Sequence, residues 1–99
     1  MHTFHLSSAG KRPPFYELAQ HLWGVGRDVD SDGNSSSPDA TDWTELTIRL
    51  RRGENERVDV DPVGPAEPLV LSIRSENEEL ASRAAIFLQH VTGGDLVRV

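Results

Sequence analysis

Residues 43–61, "WTELTIRLRRGENERVDVD", are two alternating runs joined by a short polar break. In the first run Thr44, Leu46, Ile48 and Leu50 share one side, and Glu45, Thr47, Arg49 and Arg51 share the other. That two-residue period belongs to a half-buried strand. "GEN" turns the chain, and "ERVDVD" returns it with Val58 and Val60 on the apolar side and Arg57, Asp59 and Asp61 outward. A register that keeps the apolar sets together is expected to set Asp59 opposite Arg49 or Arg51, a pairing of about 0.2–1 kcal/mol. Such a hairpin needs cover on its apolar face only, which predicts an antiparallel sheet with helices on one side.

The flanking sequence supplies that cover. "TFHLSS" (3–8) reads as a strand with Phe4 and Leu6 inward, and "LVLSIRS" (69–75) as another with Leu69, Leu71 and Ile73 inward. "DLVRV" (95–99) closes the chain as a short strand, and the proline-rich "PVGPAEP" (62–68) is a turn. After "GKRPP", Phe15, Leu18, Ala19 and Leu22 recur at helical spacing over 14–23, and Gly24 or Gly26 supplies the stop. Ser75 with Glu78 has the spacing of a capping box. Behind it Leu80, Ala84, Phe87, Leu88 and Val91 make one stripe, ended by Gly93 and Gly94, with Ile86 on the opposite side. The expectation is a single α+β domain over 1–99, a two-layer sandwich. Its order fits a ferredoxin-like split β-α-β with an antiparallel sheet of four to five strands and two helices on one face.

Composition narrows the function. With 99 residues and no cysteine, a disulfide framework, a thiolate metal site and a cysteine nucleophile are excluded. No apolar run is long enough to span a membrane, so no membrane partner is expected. No secretory leader is visible in "MHTFHLSSAG", and a cytoplasmic location is the expectation. Nine of the ten basic residues are arginine, which fits a GC-rich bacterial coding bias. No serine elbow, phosphate loop or zinc spacing occurs, and His2, His5, His21 and His90 fall into no ligand pattern. The chain is therefore expected not to be an enzyme.

The net charge of −6 comes from one place. Residues 27–42 read as an acidic, Ser/Asp-rich loop carrying Asp28, Asp30, Asp32, Asp39 and Asp42. The 16 acidic residues less these five leave 11 against 10 basic ones, a nearly neutral body. A nucleic-acid partner is not expected, since no basic face offsets phosphate repulsion. A basic protein partner would be drawn to the loop, with Trp43 beside it as an anchor. On that reading the chain is a non-catalytic protein-binding module, of the kind of a small bacterial inhibitor or immunity protein.

Two resemblances give alternatives. "DVDSDGNSSSPD" (28–39) resembles an EF-hand calcium loop, with Asp28, Asp30, Asp32, Asn34 and Asp39 at ligand positions and Gly33 at the turn. This implies a calcium-binding module; otherwise no cofactor is expected. "GKRPPFYELAQHLWGVGRDVD" (10–30) looks like the loop and first helix of ACT-type regulatory domains. That resemblance implies a small-ligand regulatory domain acting as a dimer. The chain is expected to be a monomer or a homodimer.

Overall fold

The computed structural model describes residues 1–51, 53–64 and 67–99. Its elements run β1 (His2–Ser7), α1 (Phe15–Trp23), β2 (Val29–Gly33), β3 (Leu46–Leu50), β4 (Arg57–Pro62), β5 (Val70–Ser75), α2 (Glu78–Thr92) and β6 (Asp95–Arg98). The fold is α+β: one six-stranded sheet in the order β2-β3-β4-β5-β1-β6, antiparallel at every junction, with two helices. Part of the turn expected over 62–68 and the last arginine of the "TIRLRR" run lie outside the described residues.

The sheet exceeds the four to five strands expected because part of the acidic segment is β2, an edge strand beside β3. Only Val29 in it is apolar. Its pairing is held by contacts with β3 rather than by burial of its own side chains.

Register makes the two faces. Leu46, Val60, Ile73 and Phe4 lie opposite one another across four strands, and Ile48 faces Val58. These side chains are buried, and Leu18 and Leu22 of α1 and Leu80, Ala84 and Leu88 of α2 join them in one core. The reverse face carries the row Asp32, Thr47, Asp59, Arg74 and Thr3. This register corrects the expected charge pair. Asp59 faces Thr47, and Arg49 faces Arg57, because the turn after Leu50 takes up more chain than the "GEN" break suggests. Asp59 instead takes hydrogen bonds from Thr47 Oγ1 at 2.7 Å and from Arg57 on its own strand.

Helix α1 begins behind Pro14, whose fixed φ suits a helix start, and ends at Gly24 with φ 92°. Helix α2 is capped by Asn77, not Ser75: Asn77 Oδ1 accepts the Leu80 N–H at 3.2 Å. Ser75 is buried one step earlier in β5, where its hydroxyl donates to the Arg57 carbonyl at 2.6 Å and accepts the Asn77 N–H. Ala81, Ala84 and Ala85 are fully buried, small side chains under which the helix sits close to the sheet, while Val91 of the expected stripe is exposed. Gly93, at φ 76°, ends the helix in the left-handed conformation. Ile86 stands exposed on the far side. Among the described residues no helix is long and apolar enough to cross a membrane.

Candidate functional site

The acidic segment divides into two parts with different surroundings. In β2 the alternation of a strand puts Asp30 and Asp32 on the open, polar face of the sheet, opposite Arg49 and Thr47. Asp30 is gripped from two sides: Arg49 Nη2 donates at 3.0 Å and Arg51 Nε at 2.6 Å. The hydrogen bond from Arg51 and then that from Arg49 pull its carboxyl down to about 2 from the usual 3.8. Arg51 also pairs with Asp28 at 3.2 Å, and its own pKa is raised by the Asp30 hydrogen bond before the charge of Asp28. Two of the five aspartates are therefore matched by arginines in or just after the neighbouring strand.

From the end of β2 onward the surroundings change. Asp32, Asp39, Asp42 and Glu45 form no ion pair among the described residues. Asp32 and Glu45 line one shallow hollow of about 180 Å³ with Thr47 and Asp61. The base of the loop is clamped by Asn34, whose Oδ1 accepts the N–H groups of Thr44 at 2.9 Å and Glu45 at 3.0 Å. Asp39 accepts the Tyr16 hydroxyl at 3.1 Å, which raises the tyrosine pKa. Asp42 lies near enough to Arg12 for its charge to support the guanidinium, though burial has the larger effect and lowers that pKa.

Trp43 is not a surface anchor. It is 1% exposed, and its Nε1–H donates to the Pro13 carbonyl at 2.7 Å while its own carbonyl takes a bond from Arg12 Nε at 2.7 Å. The indole is large enough to fill the space beside α1 and polar enough at one edge to tie the loop exit to the "RPP" segment. Nothing at position 43 of the sequence separates this role from that of an exposed anchor.

The calcium ligand set is not assembled. Asp28, Asp30 and Asp32 lie along an extended run, where alternate side chains stand about 7 Å apart, and Asn34 spends its amide on Thr44 and Glu45. Gly33 is required for a different reason from a loop turn: a Cβ there would run into the Glu45 backbone carbonyl oxygen. Among the described residues no group of three or more His, Cys, Asp or Glu side chains is placed to hold a metal ion.

Sequence reading missed the groove behind β2. On the helix side of the sheet, α1 stops short of the edge strand. Two adjoining hollows of about 160 and 350 Å³ remain, one bounded by Tyr16, Ala19 and Val29 and the other by Gly33, Pro38 and Leu46. Phe15 and Ser31 border both. The exposed Tyr16 in an amphipathic helix is a weak sequence signal for it. Elsewhere His21 stacks on Phe87 with ring centroids 4.4 Å apart, its pKa lowered by burial and then by Arg83. No family model, curated protein or solved structure matches the chain.

Proposed function

We propose that this chain is a non-catalytic protein-binding module that recognises a basic partner through the arc from Asp32 to Glu45, in the manner of a small inhibitor or immunity-type protein. One observation carries the reading: Asp28, Asp30, Asp59 and Asp61 each pair with an arginine, whereas Asp32, Asp39, Asp42 and Glu45 form no ion pair among the described residues. An uncompensated acidic rim steers a basic surface towards itself and speeds encounter more than it adds affinity. The Asn34 clamp and buried Trp43 hold both ends of the arc, which lowers the ordering cost of binding.

The connections support a ferredoxin-like split β-α-β scaffold with an inserted hairpin. Helix α2 links β5 to β6 across β1, and α1 links β1 to β2 across the β3–β5 strands. The test is to isolate the bound protein with the intact chain as bait and measure the complex at several salt concentrations. The combined Asp32→Asn, Asp39→Asn, Asp42→Asn and Glu45→Gln variant is expected to weaken it and flatten its salt dependence. Unchanged affinity and slope would overturn the reading.

A further inference from the structure

We infer that β2 is a docking edge that takes an extended segment of the partner as a seventh strand, the segment alternating apolar and basic residues. This rests on the acidic-arc reading above and specifies how the partner is held. Three independent features converge on β2.

The first is the backbone. Arg51 N–H donates to the Asp28 carbonyl at 2.9 Å, and Asn34 N–H to the Glu45 carbonyl at 3.1 Å. In an antiparallel ladder these bonds recur at every second residue, so the even-numbered residues of β2 face β3 and the odd-numbered ones point away. The N–H and C=O groups of Val29 and Ser31 thus line the sheet edge, where no further strand follows among the described residues. Gly33 N–H is already taken by its neighbour Asp32 Oδ1 at 2.9 Å, which marks the end of the usable edge.

The second is the groove. The hollow bordered by Val29 and Ser31 and the hollow bordered by Ser31 and Gly33 succeed one another along the strand. That is the two-residue repeat at which an added strand presents side chains to one face. Phe15, Tyr16, Ala19 and Val29 supply the apolar part of the wall of the first hollow, and Phe15, Pro38 and Leu46 that of the second.

The third is charge. The intervening side chains of an added strand would lie on the opposite face, beside Asp30, which Arg49 and Arg51 already hold, and Asp32, which has no ion pair among the described residues and favours lysine or arginine as a cross-strand neighbour.

The probe is a short labelled peptide of alternating valine and lysine, measured by fluorescence anisotropy against the whole chain. Its controls are a block-ordered peptide of equal composition and an alternating peptide N-methylated at every second amide. The alternating peptide is expected to bind about tenfold tighter than either control, the scale of a lost backbone bond or two, and to slow hydrogen exchange at the Ser31 amide. Ser31→Pro, which an edge strand tolerates, is expected to reproduce the loss caused by N-methylation. Equal binding of all three peptides, or no binding of the alternating one, overturns strand addition. If all three bind equally and the neutralised acidic variant releases them all, the acidic-arc reading survives while strand addition falls. If neutralisation changes nothing for the alternating peptide or the isolated partner, the acidic-arc reading itself fails.

Discussion

Arg51 reaches diagonally across the β2–β3 ladder to donate to Asp30 at 2.6 Å, although the residue directly opposite Asp30 is Arg49. One carboxylate thereby holds Arg49 of β3 and Arg51 just after it, and an acidic segment without an apolar stripe becomes a strand. The consequence is a pH dependence with a definite sign. Asp30 has its carboxyl lowered to about 2 by these bonds, from 3.8. Its contribution is complete above the usual value and is lost as pH falls through about 2. Asp30→Asn is therefore expected to lower the urea midpoint at neutral pH. The difference from the parent chain should shrink between about 4 and about 2, a window set by that shift. A difference that stayed constant down to the lower limit would show that the pairing does not contribute.

Trp43 separates a packing role from a contact role. Trp43→Ala should cost about 3–5 kcal/mol, as for other large aromatic deletions in a core. Trp43→Phe keeps most of the ring but leaves the Pro13 carbonyl unpaired, at a cost of about 1–3 kcal/mol. Both values are read from equilibrium unfolding. The phenylalanine variant is expected to retain its affinity for the partner under conditions where it is fully folded, the opposite of what a surface anchor would show.

How far the sequence was legible follows from which force made each element. Strands β1, β3, β4 and β5 are written in alternation because burial of Phe4, Leu6, Ile48, Val58, Val60 and Leu71 makes them. Strand β2 is made by arginine–carboxylate pairs and by the edge of β3, which leave no periodic apolar signature. The β3–β4 register was misread because apolar alternation is satisfied equally by shifts of two residues, and only the length of the turn decides among them. Around the turn, Leu50 N–H meets the Glu56 carbonyl at 2.9 Å and Asn55 takes φ 57°, a conformation asparagine tolerates better than most residues. The α2 cap was misplaced for a similar reason: Ser75 and Asn77 are both good caps, and the choice fell to Asn77 once Ser75 was committed to the Arg57 carbonyl. The acidic arc was legible as composition. Its division into matched and unmatched carboxylates needed the register.

Gly33 tests whether β2 is closed onto β3 at its far end. A methyl group there collides with the Glu45 carbonyl, a backbone atom that cannot move without opening the ladder. Gly33→Ala is expected to destabilise the chain by about 1–3 kcal/mol, in the range of overpacking. Protection of the Asn34 amide, which bonds that same carbonyl at 3.1 Å, should fall with it. Ser31→Ala, on an exposed side chain, is the neutral control. If the alanine at 33 left both stability and amide protection intact, the closed end of β2 would be refuted.

Asp59 carries the corresponding test for the open face. Arg49 and Arg57 stand directly opposite each other, an arrangement that is unfavourable unless countercharge is supplied. Asp30 supplies it to Arg49 and Asp59 to Arg57. Asp59 is the more enclosed of the two, its side chain 13% exposed, and it also takes the Thr47 hydroxyl. Asp59→Asn keeps the shape and removes the charge, so it should cost about 1–3 kcal/mol through the two weakened bonds and the unopposed arginines. Arg57 is more than half exposed, so its coupling to Asp59 is the smaller part, about 0.2–1 kcal/mol. A double-mutant cycle of Asp59→Asn with Arg57→Gln reads that part directly. A second cycle, of Asp59→Ala with Thr47→Val, reads the part-buried hydroxyl bond, expected to be the larger and the less sensitive to salt. If the arginine cycle gave the larger, salt-insensitive coupling, the open face would be held by charge rather than by the Thr47–Asp59 bond.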